Sequence, residues 1–227
     1  MISVIIPALN EGRTIGHVVH LAKSSANVSE VVVVDDNSVD DTIAEAQKAG
    51  AVIITSTKLG KGTSMKDGLQ YATNPIIVFL DADITTYPAN IIRLLTEPII
   101  TDRADFCKSY FSRQAGRVTE LLAKPLLSIL YPGFPLFLQP LSGMIAGKKD
   151  LFEMIEFEDG YGVDIGILID MHQLGARIDE VYIGHIENSM HPLEELGKMS
   201  KEVASVILKK SWKRGKNSFE TLEYITN

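Results

Sequence analysis

Apolar residues in the first hundred positions fall into short β-branched runs separated by stretches of helical period. Ile2 to Ile6, Val31 to Val34, Val52 to Thr55 and Ile76 to Leu80 are each bounded by polar, Gly or Pro residues, as strands buried on both faces require. Between them, Thr14 to Ser25 sets Ile15, Val18, Val19 and Ala22 on one helical face. Asp41 to Lys48 runs to a stop at Gly50, and Thr63 to Ala72 follows the turn Gly60-Lys61-Gly62. This alternation predicts an α/β fold, a Rossmann-like and mostly parallel sheet wound with right-handed crossovers and flanked by helices.

The second half loses the regular alternation. Arg117 to Leu130 reads as an amphipathic helix, Pro132 to Pro140 as a Pro- and Phe-rich loop, and Val163 to Leu174 as a helix entered through Gly160-Tyr161-Gly162. A strand is expected from Ile178 to Ile183. A long helix from Pro192 to Lys210 then carries Leu196, Met199, Val203, Val206 and Ile207 on its apolar face. The basic, then polar tail after Trp212 is expected to be mobile or to dock on a partner. Without an internal repeat or a low-complexity linker, residues 1–107 and 108–227 are expected to form two halves of one compact unit.

With 227 residues, 45% of them hydrophobic, the chain can bury a full core. Its net charge of -7 and pI near 5.3 argue against sequence-independent nucleic-acid binding, which needs a basic surface, and favour small-molecule partners. The single cysteine, Cys107, excludes an intrachain disulfide, and Ala104-Asp105-Phe106-Cys107 reads as a strand in which the thiol serves packing. The chain enters a strand pattern at once, and no apolar run reaches the length of a membrane span, so the expected location is the cytoplasm.

The most informative chemistry is Asp81-Ala82-Asp83 at the end of the run Ile76-Ile77-Val78-Phe79-Leu80. Two carboxylates one residue apart, where a buried strand opens into a loop, can hold a hard divalent cation against a diphosphate. The same pattern also serves helix caps and turns. Parallel strands bring two further loops to that edge, Pro7-Ala8-Leu9-Asn10-Glu11 and Asp35-Asp36-Asn37-Ser38-Val39-Asp40-Asp41-Thr42. Asp35 and Asp36, at the strand end itself, are expected to contact a ligand. For Asp40 and Asp41 helix capping is the favoured expectation. Lys61 sits in a backbone-permissive turn before a helix, where an anion is favoured. No G-x-x-x-x-G-K-[ST] or G-x-G-x-x-G spacing is present, so ATP hydrolysis and NAD chemistry lose their usual support.

These motifs make the first half resemble the nucleotide-diphospho-sugar transferases of the glycosyltransferase A fold, family 2-like in its Pro-Ala-Leu-Asn-Glu opening, Val-Val-Asp-Asp-Asn-Ser turn and Asp-x-Asp. Gly116-Arg117-Val118-Thr119-Glu120-Leu121, Lys124-Pro125-Leu126-Leu127, Leu138-Gln139-Pro140-Leu141-Ser142-Gly143, Gly160-Tyr161-Gly162-Val163-Asp164-Ile165-Gly166 and Pro192-Leu193-Glu194-Glu195-Leu196-Gly197-Lys198-Met199-Ser200 extend the likeness. Together they resemble the glucosyl-3-phosphoglycerate synthases, relatives of the mannosyl-3-phosphoglycerate synthases.

The resemblance implies that Pro7, Ala8, Leu9, Glu11, Asp35 and Asp36 bind the uridine end of a UDP-sugar, that Lys61 meets the uracil or the phosphates, and that Asp81, Ala82 and Asp83 serve ribose and metal. Gly116, Arg117, Val118 and Thr119 would hold the phosphate and carboxylate of the acceptor, as a planar guanidinium and a hydroxyl at a helix start can. Leu138 to Gly143 would line the sugar pocket. Asp164 replaces a family glutamate near the transferring sugar. Where the family carries a metal-binding histidine, a gapless match places Asn188, flanked by His185 and His191; Asn188 or His191 would complete a Mg²⁺ or Mn²⁺ site with Asp83. His17, His20 and His172 fall in helical patterns. The implied activity is metal-dependent transfer of a sugar, with anomeric retention, from a UDP-sugar to a small phosphorylated acid such as 3-phosphoglycerate, by a homodimer. Other readings stay open at this point: another acceptor such as a lipid phosphate, with Phe134-Pro135-Leu136-Phe137 at an interface; a nucleotidyltransferase; or a nucleotide-sugar-binding protein without catalysis.

Overall fold

The computed structural model describes residues 1–112, 116–187 and 192–215. Seven strands form one sheet: β1 (Ile2–Ala8), β2 (Val28–Asp35), β3 (Val52–Thr55), β4 (Ile76–Phe79), β5 (Phe106–Ser112), β6 (Ile145–Lys148) and β7 (Ile178–His185), in the order β3-β2-β1-β4-β6-β5-β7. All neighbouring pairs are parallel except β4–β6 and β5–β6, so β6 alone runs against the rest. β6 escapes the sequence pattern because Ile145-Ala146-Gly147-Lys148 has a single β-branched residue and carries a glycine, unlike the equally short β3 and β4.

The β-branched runs are two-sided. Val4, Ile6, Val31 and Val33 face one apolar layer, built with the helices α1 (Ile15–Lys23), α2 (Thr42–Lys48) and α4 (Ile91–Ile100). Ile5, Val32 and Val34 face the other, with α3 (Lys61–Tyr71), α5 (Lys124–Leu130), α6 (Lys149–Glu153), α7 (Val163–Gln173) and α8 (Leu193–Gly215). The chain therefore changes faces between the crossovers on either side of β1 and β4. That is the topological switch at which open α/β sheets bind ligands.

The expected helix over 117–130 forms with a difference: Thr119–Ala123 is a π-helical segment leading into α5. Pro125 lacks an N–H, and its ring crowds the carbonyl of an ordinary α-turn before it; the wider turn relieves both. The Pro- and Phe-rich loop turns its two aromatic rings inward. Phe134 and Phe137 are buried and pack edge-on at 5.6 Å, and Phe134 also meets Tyr131 and His172, leaving Leu136 exposed. No helix among the described residues is long and apolar enough to cross a membrane.

Cys107 is buried, and burial pushes its thiol up to about 12, as its packing role requires. At the centre of the second layer, Phe152 stands edge-on to Phe79 at 5.3 Å and to Phe106 at 6.0 Å. Phe152→Ala removes the ring that joins β4 to β5 and is expected to lower stability by about 3–5 kcal/mol, measured by urea unfolding; a loss below about 1 kcal/mol would show that the layer collapses around the gap.

Candidate active site

The strand ends open into a cleft of about 1240 Å³. Its floor is made by one lysine. Lys61, at the start of α3, lies 2.9 Å from Asp81 Oδ1 and donates to Asp164 Oδ2 on α7 over 3.0 Å. Burial opposes the charge on Lys61, but Asp164 and Asp81 overcome it and hold the ammonium above the ordinary lysine range. Burial, helped by Asp81, pushes the Asp164 carboxyl up against the pull of Lys61 and Lys108. Gly143 covers this triad: a Cβ there would stand 2.5 Å from Lys61 Nζ and 2.7 Å from Asp81 Oδ1, so only glycine leaves room for the ion pair.

The turn that presents Lys61 is fixed from two sides. Gly60 has φ of 128°, which favours glycine, and its N–H donates to Asp36 Oδ2 over 2.9 Å, while the Gly62 N–H donates to the Asp159 carbonyl over 3.0 Å. The expected anion position at this helix start is thus filled by groups of the protein itself. Asp81 is held by Tyr87, a residue the sequence reading missed: the Asp81 N–H donates to the Tyr87 oxygen over 3.0 Å, and the Tyr87 hydroxyl donates to the Asp81 carbonyl over 3.1 Å.

Pro7, Ala8, Leu9, Glu11, Asp36, Lys61, Asp81, Ala82, Asp83, Gly116, Arg117, Val118, Thr119 and Asp164 all line the cleft. Asp35 and Leu138 do not. The Asp35 carboxylate accepts the Ser38 N–H over 3.2 Å and closes the turn after β2, and Leu138 is exposed, its N–H donating to Glu180 over 2.9 Å. Asp40 binds the Thr42 N–H over 3.0 Å at the start of α2 and the Gly12 N–H over 3.0 Å, tying two of the loops together; Asp41 makes no side-chain cap. His185 is exposed and lies 3.8 Å from Glu187. Asn188 and His191 lie outside the described residues. Leu196, Met199, Glu202 and Val206 of α8 form a further wall, anchored where Glu202 accepts the Tyr161 N–H over 2.7 Å.

Two buried carboxylate oxygens, Asp36 Oδ1 and Asp164 Oδ1, have no hydrogen-bond partner among the described residues. Both residues belong to the cleft wall, Asp36 bonded to the Gly60 N–H and Asp164 to Lys61. Buried acceptors are normally satisfied, so these two mark where N–H or O–H groups of a ligand fit. The acidic rim suits a hard cation. Burial, then Asp83, Asp40 and Asp81, push the Glu11 carboxyl up despite the Thr14 hydroxyl bonded to it. Exposed Asp83 adds an oxygen donor beside this excess negative charge. The carboxylate oxygens that the described residues offer, completed by phosphate oxygens, fit Mg²⁺ or Mn²⁺, and among the described residues no cluster of three or more His, Cys, Asp or Glu holds an ion alone.

A switch-point cleft with strand-end carboxylates and two orphaned acceptors defines the class, a nucleotide-sugar transferase of the glycosyltransferase A fold; the family model described as Glycosyl transferase family 2 matches residues 3–142. The chain is 35% identical over 234 residues to the glucosyl-3-phosphoglycerate synthase of Mycolicibacterium paratuberculosis, covering 91% of this chain and 71% of the relative. The enzyme of the same name from Petrotoga mobilis is 32% identical over 249 residues, covering 97% and 76%. Among solved structures, glucosyl-3-phosphoglycerate synthase from Mycobacterium tuberculosis in complex with Mn²⁺, UDP-Glc and phosphoglyceric acid matches with a TM-score of 0.88 at 36% identity, over 93% of this chain and 79% of that one. Its complex with Mg²⁺ and UDP matches with 0.87 at the same identity and coverage. The chain belongs to glycosyl transferase family 2, among the glucosyl-3-phosphoglycerate synthases.

Lys61→Met is expected to cost about 2–4 kcal/mol, because it leaves Asp164 buried near Asp81 without their cation. Adding Asp164→Asn to that variant should restore part of the loss in urea unfolding; a double variant no more stable than Lys61→Met would mean that the two side chains are not coupled.

Proposed function

We propose that this chain transfers glucose from UDP-glucose to 3-phosphoglycerate with Mg²⁺ or Mn²⁺. The observation that carries the reading is a pair of orphaned carboxylate oxygens in one cleft, Asp36 Oδ1 after β2 and Asp164 Oδ1 on α7, read as the nucleotide end and the sugar end. It is supported by the Mycobacterium tuberculosis relative, solved with UDP-Glc, phosphoglyceric acid and Mn²⁺, and with glucosyl-3-phosphoglycerate, UDP and Mn²⁺.

In this reading residues 1–107 bind the donor and residues 108–227 complete the acceptor side. Asp36 Oδ1 accepts the uracil N–H, and the Pro7-Ala8-Leu9 backbone walls the base. Asp81, held by Tyr87 and Lys61, faces the ribose. Asp83 holds the cation together with diphosphate oxygens, and Asn188 or His191 is the further candidate ligand. When bound, the cation offsets the charge that develops on the departing diphosphate. Asp164 accepts a sugar hydroxyl through Oδ1; one methylene shorter than glutamate, it reaches that hydroxyl from its seat against Lys61. Arg117 and Thr119 hold the anionic acceptor at the opening of the helical segment.

The cleft then brings the acceptor hydroxyl to the face of the sugar from which UDP leaves, and holding both reactants in one geometry supplies much of the rate. The anomeric configuration is retained, with the leaving phosphate taking the hydroxyl proton and no covalent nucleophile assigned. A double displacement would instead place two carboxylates about 5 Å apart across the bond. The reading also carries a homodimer in the cytoplasm, as the family resemblance implies.

The test is purified protein with 3-phosphoglycerate and a panel of nucleotide sugars, with and without Mg²⁺ or Mn²⁺, following the phosphorylated glycoside by mass spectrometry. A metal-dependent product with UDP-glucose is expected; tight UDP binding with no product from any donor would move the acceptor assignment elsewhere. Asp83→Ala should stay folded and lose turnover at least about a hundredfold, the scale of removing electrostatic stabilisation of a leaving group, and full turnover would take Asp83 out of the mechanism. Arg117→Ala should raise KM for the acceptor about tenfold or more through a lost charge-assisted contact while KM for the donor stays within twofold; equal effects on both would remove the acceptor assignment.

A further inference from the structure

Lys108 on β5 is fully buried, yet it does not line the cleft. Its Nζ donates to the Ser142 carbonyl over 2.6 Å, and no carboxylate among the described residues forms an ion pair with it. The Ser109 and Ser142 hydroxyls lie 2.6 Å apart, and the Ser109 N–H donates to the Met144 carbonyl over 3.1 Å. The segment tied down in this way supplies Gln139, Leu141, Ser142, Gly143 and Met144 to the cleft wall. The charged groups that act on Lys108 are Asp164 on α7, Lys61 on α3, Glu180 on β7 and Asp81 beyond β4.

A buried ammonium is costly unless paired. This one holds a carbonyl of the cleft-wall segment, and the carboxylate that acts on it most, Asp164, is the one whose second oxygen is orphaned. We propose that Lys108 is a positioning residue for the donor sugar: it fixes the Ser142 carbonyl and its positive charge acts on Asp164, so that binding of the glucosyl group depends on it and binding of UDP does not. The inference rests on the transfer reading above.

Burial lowers Lys108 to about 8; Lys61 acts in the same direction, against Asp164, Glu180 and Asp81. The contribution of its charge to sugar binding is therefore present below about pH 8 and lost above it. For stability the sign is opposite: between about pH 8 and the unfolded value near 10.4 the unfolded chain holds a proton that the folded one has released, so stability relative to Lys108→Met rises with pH through that window.

Calorimetric titration of UDP and of UDP-glucose, with Mg²⁺, into wild type, Lys108→Met and Lys108→Gln at pH 7 and pH 9 tests the assignment, with melting curves to establish that each variant is folded. UDP should bind all three proteins within twofold. UDP-glucose should bind Lys108→Met about tenfold more weakly at pH 7, the scale of one lost charge-assisted contact. Lys108→Gln, which keeps a donor for Ser142 without the charge, should fall between, and the advantage of wild type should shrink at pH 9. Variants that bind UDP-glucose like wild type, or that lose UDP and UDP-glucose equally, would overturn the positioning role. If Lys108→Met does not fold, Lys108→Gln decides by the same comparison. A wild type that binds neither nucleotide overturns the transfer reading itself, and this inference with it.

Discussion

One ammonium group organises the cleft. Lys61 comes from the first half of the chain, and its two partners come one from each half: Asp81 from the end of β4 and Asp164 from α7. Asp164 is buried and Asp81 only a quarter exposed, so the penalty for losing Lys61 is larger than for a surface pair and falls mainly on Asp164. Much of the surrounding geometry follows from accommodating that triad. Gly143 has no side chain because the ion pair occupies the space, Gly60 takes a left-handed conformation to launch α3, and Tyr87 pins the backbone of Asp81 so that its carboxylate meets Lys61.

The apolar layers explain why this arrangement can be rigid. Strands that alternate their side chains between two buried faces leave their carboxyl ends as the free edge, and the change of face between β1 and β4 opens a crevice there. Side chains on such an edge inherit the order of the sheet. Electrostatics then divides the crevice. Around Glu11 and Asp83 negative charge accumulates, which suits a cation and a diphosphate, whereas Lys61 partly offsets Asp81 and Asp164, and Arg117 adds positive charge to the cleft lining. A donor with an anionic middle and a neutral sugar, and a small anionic acceptor, match that sequence of charges.

How far the sequence reached depends on whether a feature is local. The first four strands and the helices between them were legible because β-branched runs and helical periodicity are both short-range signals. The carboxylates of the cleft were legible for the same reason, since a strand end followed by acids says where the acids stand. Antiparallel β6 was not, because four residues including a glycine carry too little pattern, and its place is decided by its neighbours β4 and β5. The division of labour between Asp35 and Asp36 was also hidden: adjacent residues on a strand end point to opposite sides, and only the turn through Ser38 reveals that Asp35 is spent on the backbone. Tyr87 and Lys108 act by bonding the backbone of motif residues, Asp81 and Ser142, and the partner side chain of such a bond lies outside the motif, where no spacing rule reports it. The resemblance to the glucosyl-3-phosphoglycerate synthases carried the assignment of the second half further than periodicity did.

The central claim is that one cleft holds the donor sugar and the acceptor on the same side, across a floor built on Lys61. Its most direct test is proton NMR of the first glycoside formed from UDP-glucose and 3-phosphoglycerate with Mg²⁺, read at the anomeric proton before equilibration. The account predicts an α-glycoside, the configuration of the donor. A β-glycoside, or release of free glucose and UDP with no glycoside, would contradict it.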